Sequence, residues 1–336
     1  MTKQRRRKRY LQQPELTKGF QFNPDWVRGD AAILDLVFDH GMLTAGQLGE
    51  LLGRGRNAVQ SRLTELFHLN YLTKPIEQIP PHQRVGSTPD LYTLGREGAR
   101  YLVDHYAQNE ETDIPFFTKI RWYRQSHEHS QRHIHHTAFC ARMMVAIKEA
   151  CKKHGHVRYI SFREILAGAP EGTRLADNPA AWRVRLSRKR DPRGRYPESF
   201  GVEPDPRIFG LHYLEEPEGR NRSFFLPEYD RGTMKITARN LYSSSIHKKL
   251  LLYHETYQQG ICRERFGLGN FRVLFLTTRG KSRAENMLSA NRHQDITGGK
   301  GSTMFLFASE QDFLAADDFL SMPWRDGRGD TVRLLD

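Results

Sequence analysis

Hydrophobic residues recur at helical spacing in the N-terminal third of the chain, which predicts a set of short helices. The first helix follows Asp30, a residue type that caps helix starts. The second begins at Thr44, because Thr44 and Gln47 have the capping-box spacing, and it ends at Gly53. The third is predicted over residues 56–69, where an apolar stripe repeats at i, i+4 and i+7.

The third helix has a polar face, and two short strands are predicted after it, near 71–73 and 91–94. The proline-containing polar segment between them is typical of a wing, and a closing helix is predicted over 95–105. This order is that of a winged helix-turn-helix, whose recognition helix enters the major groove of DNA. The alternative is a helical bundle that contacts proteins. The side chains expected to contact DNA are Arg54, Arg56, Asn57, Gln60, Ser61, Lys74 and Arg84.

The second half of the chain alternates between helix and strand patterns. Two runs of strand length, 271–277 and 303–308, are apolar on both faces, which predicts central strands covered by helices. The predicted order α-β-β-β-α-β-α-β-α indicates a mixed α/β sheet flanked by helices. The other expected elements are helices over 130–153, 238–260, 281–292 and 309–320, strands over 157–162, 200–213 and 222–230, and a basic excursion over 166–200.

The pattern also divides the chain into segments. We expect two folded domains, with the winged helix-turn-helix over 30–107 and the mixed α/β domain over 127–321. The remaining segments are expected to be a basic flexible arm, a linker with an acidic patch and a tail, over 1–28, 108–126 and 322–336. A chain of 336 residues is long enough for two such domains.

The positive charge is clustered, and this changes the expected partner. The formal net charge is +13, with six basic residues in 3–9 and seven in 183–195, including Arg188, Lys189 and Arg190. Such clusters favour polyanions, above all nucleic acid, although they are also found in solvated tails and loops. We therefore expect DNA as the partner, with these clusters on its phosphates.

Membrane and secreted classes do not fit the composition. No apolar run approaches the ~18–20 residues that cross a bilayer, and the N-terminus has no hydrophobic signal core. Three widely spaced cysteines are typical of a reduced, cytoplasmic protein and do not form a zinc spacing.

Acidic residues at two strand ends are the main candidates for catalysis. Asp205 follows Pro204, and Glu228 and Asp230 close the next predicted strand, where a spacing of two puts both on one face. Oxygen ligands from Asp205, Glu228 and the backbone carbonyl of Tyr229 suit Mg²⁺ or Mn²⁺, which would activate water at a phosphate. A lysine of the following helix, at 248 or 249, would stabilise the developing charge. Alternatively, these acids are ordinary strand-end and turn residues.

Five histidines fall within residues 127–136. The triplet His133-Ile134-His135 has the His-hydrophobic-His form found in nucleases with a tyrosine nucleophile, where it lies on a strand. Here it falls within a helical pattern, in which residues two apart diverge by about 200°. The stripe of His129, His133 and His136 is a weaker metal candidate and is more typical of a polar surface.

Three stretches resemble the replication-relaxation family of bacterial plasmids and mobile elements, which includes mobilisation relaxases of the Mob C type. They are the helix-turn-helix that continues into residues 91–99, the helix around His136, and residues 224–233 with the Lys248-Lys249…Tyr253 helix. The resemblance implies a winged helix joined to a restriction-endonuclease-like domain. It also implies recognition of an origin and, in some members, nicking with a metal.

By position, Asp205 and Glu228 match the two acids of a PD-(D/E)xK site. Asp230 stands where that pattern has its lysine, so either a helix lysine substitutes, with Lys248 the first choice, or the centre is inactive. Pro227 donates no strand hydrogen bond, which predicts a bulge or an edge there.

These features together predict an origin-binding plasmid or mobile-element protein that nicks DNA by metal-dependent phosphodiester hydrolysis. One rival is a non-catalytic replication or transcription regulator on the same fold. Another is a tyrosine-type relaxase, which requires residues 133–135 to be a strand. A second copy of the chain and other mobilisation or replication proteins are the candidate protein partners.

Overall fold

The computed structural model describes residues 11–75, 78, 89–108, 131–186, 191, 193–194 and 199–335. The chain forms two compact units, Met1–Val145 and Ala146–Asp336, which divide within one long helix. The expected domain bounds stay a prediction, and most of the expected linker lies outside the described residues. Arg84, Arg188, Lys189 and Arg190 also lie outside them.

The first unit has the element order of a winged helix-turn-helix. Its three short strands form a sheet in the order β1-β3-β2, with antiparallel pairing throughout. The sequence pattern did not predict β1, which has only two residues and pairs with β3. The elements are α1 (Asp30–His40), β1 (Leu43–Thr44), α2 (Ala45–Leu52), α3 (Arg56–His68), β2 (Leu72–Thr73), β3 (Leu91–Leu94), α4 (Arg96–Gln108) and α5 (Gln131–His154), which continues into the second unit.

The start of α1 differs from the prediction. Gly29 is the N-cap, and Asp30 is the first helical residue. The carboxylate of Asp30 is buried and accepts hydrogen bonds from Arg62 Nε at 2.6 Å and from the backbone N–H of Asn23 at 2.7 Å. Asp30 therefore links α1 to α3 and to the preceding segment instead of capping its own helix.

The expected flexible arm over 1–28 is also corrected for its described part. Residues Pro14–Thr17 form a 3₁₀ helix, and the backbone N–H of Gln13 donates to His68 Nδ1 at 3.1 Å. Phe22 stacks on Tyr71 with ring centroids 5.0 Å apart. The described part carries no net charge, because Lys18 and Arg28 are balanced by Glu15 and Asp25, and its aromatic rings pack on the first unit.

The second unit is built on a seven-stranded mixed sheet flanked by helices, as predicted. The strand order is β12-β11-β10-β9-β8-β7-β4. Its elements after α5 are β4 (Val157–Ile160), α6 (Phe162–Ala167), α7 (Glu171–Arg174), β5 (Trp182–Val184), β6 (Phe200–Val202), β7 (Phe209–Tyr213), β8 (Arg222–Asp230), α8 (Ile246–Gln258), α9 (Ile261–Phe266), β9 (Arg272–Thr277), α10 (Lys281–Asn291), α11 (Gln294–Thr297), β10 (Phe305–Ser309), α12 (Glu310–Ala315), β11 (Trp324–Asp326) and β12 (Thr331–Val332).

The centre of this sheet is parallel and its flanks are antiparallel. β8, β9 and β10 are parallel neighbours joined through helices, whereas β4, β7 and β8 form an antiparallel meander. Phe209 and Phe225 are partners in register across β7 and β8, and their rings stack at 5.2 Å. Apart from Arg272 at its start, every residue of β9 is buried, which explains the apolar run seen in the sequence.

Several expected elements have different bounds. The helix expected from 238 begins only at Ile246, where Ser245 caps it by accepting the N–H of Lys248. The expected strand over 200–213 is two strands, β6 and β7. The basic excursion over 166–200 contains α7 and β5, and β5 pairs with β6 at the end of the excursion. The expected tail over 322–336 contains β11 and β12, which extend the main sheet, and Trp324 of β11 is fully buried.

Pro227 lies in the middle of β8, opposite Leu274 of β9. On its other side the pairing with β7 has ended at Phe225, and the segment at Asp205 takes its place. The carbonyl of Pro227 accepts the N–H of Asp205 at 3.1 Å. The missing N–H of Pro227 points to this same side, where the regular ladder has stopped, so the proline is tolerated.

Within the described residues, no helix combines the length and the apolar character needed to cross a membrane.

Candidate functional site

The helix-turn-helix of the first unit is set by local backbone chemistry. The Thr44 hydroxyl accepts the N–H of Gln47 at 3.3 Å, and Gln47 Oε1 accepts the N–H of Thr44 at 2.9 Å. Gly53 ends α2 in the left-handed conformation. A Cβ at Gly49 would lie 2.8 Å from the carbonyl oxygen of Arg54, so only glycine allows the turn to approach α2 this closely.

The predicted DNA-contacting side chains divide into two groups. Arg56, Asn57 and Ser61 are exposed on the first turns of α3. Gln60 Nε2 donates to the Tyr92 hydroxyl at 2.7 Å, and Arg54 Nη1 donates to the carbonyl of Arg28 at 2.8 Å. The side chains of the first group are exposed to solvent, whereas Gln60 and Arg54 make hydrogen bonds within the unit.

Lys74 is held by an ion pair and by two aromatic rings of the first unit. Its Nζ lies 3.2 Å from Asp90 Oδ2, and both side chains are largely buried. The same ammonium lies 4.6 Å from the ring centroid of Phe67 and 5.0 Å from that of Tyr92. These contacts already balance the charge of Lys74, so its predicted role in contacting DNA receives no support from its position.

The acids of the second unit are brought together at β8. Glu228 and Asp230 are both buried and point to the sheet face covered by α8 and α10. Asp205, which is exposed, forms a parallel bridge with Glu228 through its backbone. The carbonyl of Tyr229 points to the same side of β8 as that of Pro227, toward Asp205, because strand carbonyls alternate in direction. The three predicted oxygen donors therefore lie at neighbouring positions.

Glu228 is held by two side chains of α8. Lys249 Nζ donates to Glu228 Oε2, and the Tyr253 hydroxyl donates to Glu228 Oε1 at 2.5 Å. Lys249 and Tyr253 are four residues apart and so lie on one face of the helix. Lys248, the lysine preferred from the sequence, points elsewhere, and its Nζ lies 4.6 Å from the centroid of the Phe200 ring. The structure thus brings Lys249, not Lys248, to the acid.

Burial and charge act in opposition on this cluster. Burial raises the pKa of Glu228, while the Lys249 ammonium and the Tyr253 hydroxyl limit that rise by stabilising the carboxylate. Burial by itself lowers the pKa of Lys249, but the neighbouring Glu228 carboxylate more than compensates and the pKa is raised. Burial and the Glu228 charge raise the pKa of Tyr253 well above its ordinary value. Tyr253 and Lys249 are therefore protonated donors at neutral pH.

Asp230 belongs to a separate network. Thr277 Oγ1 donates to Asp230 Oδ2 at 2.8 Å, and Arg283 donates to Oδ2 at 2.9 Å and to Oδ1 at 3.1 Å. This two-pronged arginine contact neutralises the carboxylate. Asp230 therefore has the environment of a structural ion pair, and its catalytic role stays a prediction.

The histidine triplet lies within α5, as its helical pattern predicted. His133 and His135 point in different directions on this helix, so the strand arrangement that a tyrosine-type relaxase requires is not met. His136 Nε2 lies 3.9 Å from Cys140 Sγ one turn later. His127 and His129 lie outside the described residues.

The sequence reasoning missed Arg283 and Thr277, which hold Asp230. Both come from β9 and α10, about 50 positions further along the chain, and no local spacing connects them to Asp230. The i, i+4 spacing of Lys249 and Tyr253 is a signal that could have identified the correct lysine, because it places both side chains over one strand position.

A family model described as Replication-relaxation matches residues 34–270, which is more than half of the chain. The match extends from within α1 to the residues just before β9, so it contains the helix-turn-helix and the Asp205, Glu228 and Lys249 positions. No curated protein and no solved structure matches the chain.

Proposed function

The chain belongs to the replication-relaxation family, and from this premise we propose that it is a DNA-binding protein of plasmid or mobile-element replication or mobilisation. The observation that carries the proposal is the winged helix-turn-helix order of the first unit with an exposed polar start of α3. Recognition helices contact base edges with residues of their first turns. Arg56 and Asn57 are the residue types that bond guanine and adenine edges.

The positive charge of +13 supports the same proposal, because phosphate contacts supply most of the affinity of such proteins for duplex DNA. The basic segments at 3–9 and 183–195 would hold phosphates without reading sequence. Specificity would then depend on α3, and affinity on both α3 and the basic segments.

The test is binding to a duplex that the full chain itself selects from a random-sequence pool. Arg56→Ala and Asn57→Ala are each expected to weaken binding to the selected duplex by about 5- to 150-fold, the cost of one bidentate base contact. Arg100→Ala is the matched control, because Arg100 is an exposed arginine of the same unit on α4. Equal affinities of Arg56→Ala, Asn57→Ala and Arg100→Ala would contradict α3 as the recognition helix.

We further propose that the second unit nicks DNA by metal-dependent hydrolysis. This is supported by the bridge between Asp205 and Glu228 and by the lysine that reaches Glu228 from α8. The donor set of two carboxylates and the Tyr229 carbonyl suits Mg²⁺ or Mn²⁺. A bound divalent ion would lower the pKa of a water molecule and neutralise phosphate charge.

The hydrogen bonds of Glu228 restrict how its carboxylate could bind a cation. Both of its oxygens accept hydrogen bonds, so Oε2 must be shared with Lys249 or released by it when a cation binds. Tyr253 would keep the carboxylate oriented through Oε1 during that exchange. Lys249 would then be available as a cation beside the phosphate, the role that the third residue of a PD-(D/E)xK site fills.

Nicking is tested by incubating supercoiled plasmid carrying the selected duplex with the full chain and Mg²⁺ or Mn²⁺. Asp205→Asn is expected to abolish open-circle product and to leave duplex affinity unchanged. Glu203→Gln is the matched control, because Glu203 is an exposed carboxylate two residues earlier, and its variant should nick as the wild type does. Unaltered nicking by Asp205→Asn refutes the assignment. Wild-type binding without open circles favours the non-catalytic regulator.

A further inference from the structure

Two histidines and one aspartate converge on the second unit away from the Glu228 cluster. His247 comes from the first turn of α8, and His293 and Asp295 come from the junction between α10 and α11. One ligand atom from each of the three side chains lies within 4.8 Å of the other two. Sequence analysis gave no sign of this cluster, because two helices and a strand, α9, β9 and α10, lie between His247 and His293 along the chain.

The backbone holds all three residues in place. The N–H of His247 donates to the carbonyl of Ile236 at 2.8 Å, which fixes the start of α8 beside its Ser245 cap. His293 is the N-cap of α11, and its Nδ1 accepts the N–H of Asp295 at 3.2 Å. The two imidazole rings lie 4.9 Å apart at an interplanar angle of 86°. The helix cap explains why His293 and Asp295 are together, but it does not account for the approach of His247 from another helix.

We propose that His247, His293 and Asp295 bind a divalent transition metal of the Zn²⁺ class. Imidazole nitrogens with one carboxylate are a ligand set that suits Zn²⁺ and its neighbours, whereas Mg²⁺ prefers oxygen ligands. Tetrahedral Zn²⁺ with bonds of about 2.0–2.1 Å places its ligand atoms about 3.3 Å apart. His293 Nδ1 already accepts the N–H of Asp295, so Nε2 is the ring nitrogen that can bind a metal while this cap is kept, and rotations of the side chains would complete the set.

Solvent reaches the cluster, since the side chains of His293 and Asp295 are 49% and 65% exposed. A metal ion can therefore enter without opening the core, and three protein ligands leave a fourth position for water. The ion would tie the first turn of α8 to α11, against which α8 packs. That turn also carries Lys249, so the metal site is joined to the Glu228 cluster through one helix while using different ligands.

The site is tested by equilibrium dialysis of the full untagged chain against Zn²⁺, and by the visible absorption of Co²⁺ bound in its place. His247→Ala and His293→Ala are each expected to lose about one equivalent of Zn²⁺ and the tetrahedral Co²⁺ spectrum. His156→Ala is the matched control, because His156 is an exposed histidine of the same unit outside the cluster, and it should retain both. Excess Mg²⁺ should not displace the bound Zn²⁺.

Asp295→Asn keeps the proposal testable if a histidine variant folds poorly, because Asp295 is exposed and its backbone N–H still completes the α11 cap. This variant should fold normally and bind Zn²⁺ at least 10-fold more weakly than the wild type, since a carboxylate ligand is lost. The proposal is overturned if the cluster variants bind as much Zn²⁺ as His156→Ala, or if the wild type binds none.

Discussion

At the scale of residues, the Glu228 cluster depends on single side chains. A shift of one position along α8 determines whether a lysine reaches Glu228. Adjacent helical residues point about 100° apart, so Lys248 and Lys249 cannot both reach one strand. Local spacing limited the choice to these two, but only the packing of α8 on the sheet selects Lys249. The strand-end acids were predictable from a spacing of two, whereas the arginine that neutralises Asp230 comes from a distant helix and was not.

Replacing the Lys249 ammonium should make stability strongly dependent on pH. Burial raises the pKa of Glu228 and the Lys249 ammonium lowers it, so we expect the pKa of Glu228 to rise further in Lys249→Met. A raised folded-state pKa gives stability that is fully present below the ordinary value of 4.5 and is lost as pH rises through the folded value. We therefore expect a loss of about 3 kcal/mol in the free energy of unfolding at about pH 8 and a smaller loss at about pH 5.

Urea unfolding of Lys249→Met and of the control Lys248→Met at both pH values measures this difference. Lys248 contacts the Phe200 ring and no buried acid in the described part of the chain, so its variant should lose about 1 kcal/mol or less at either pH. An equal loss for both variants at both pH values would mean that Glu228 does not depend on Lys249.

The Tyr253 hydroxyl should stabilise the fold through Glu228. Tyr253→Phe leaves Glu228 Oε1 buried without this donor, and we expect a loss of about 1–3 kcal/mol in the free energy of unfolding. Tyr257→Phe is the control on the same helix, because Tyr257 is 43% exposed, and it should change stability by less than about 0.5 kcal/mol. Chemical denaturation at neutral pH compares the two, and indistinguishable midpoints would refute a stabilising role for the hydroxyl.

At the scale of elements, the boundaries of helices and strands were predicted correctly where the residues that set them lie close together in the sequence. The start of α2 was predicted correctly because Thr44 and Gln47 complete the capping box between themselves. The start of α8 was predicted about eight residues too early, since its boundary depends on the Ser245 cap and on the bridge of Ser245 with Lys235. β11 and β12 were taken for a tail because such short strands exist only through pairing with the sheet.

The link between α1 and α3 should be a main stabilising contact of the first unit. Asp30→Ala removes a buried carboxylate that neutralises Arg62, and we expect a loss of about 3–5 kcal/mol in the stability of this unit. The hydrogen bond to Asp30 is the main reason that the pKa of Arg62 is raised. Arg62 nevertheless stays charged without Asp30, because the ordinary pKa of an arginine lies far above neutral pH.

Glu65→Ala provides the control, because Glu65 is the other acidic partner of Arg62 and its side chain is 43% exposed. Its loss should cost no more than about 1 kcal/mol, as for other exposed ion pairs. Thermal unfolding followed by circular dichroism measures both variants. Equal melting temperatures for Asp30→Ala and Glu65→Ala would show that the buried contact does not hold α1 on α3.

At the scale of the whole molecule, the excess of basic over acidic residues governs how the protein meets DNA. The formal charge of +13 is concentrated in segments of sequence, and two buried acids of the second unit, Glu228 and Asp230, are engaged in ion pairs. Fold class, family and charge were all readable from the sequence, because they depend on patterns summed over many residues. The assignment of individual partners was less accessible, because it depends on contacts between distant elements.

Binding to the selected duplex should therefore fall steeply with salt. Each phosphate neutralised by a basic side chain adds about −0.9 to the slope of log K against log salt concentration. Replacing Arg188, Lys189 and Arg190 together by serine should reduce the magnitude of that slope by about 3 and weaken binding to all duplexes alike. Serine replacement of Arg96, Arg100 and Arg263, three basic residues outside the clusters, removes the same formal charge as a control. Fluorescence anisotropy across a salt series gives both slopes, and equal slopes for the two variants would assign the effect to net charge instead of to the 183–195 segment.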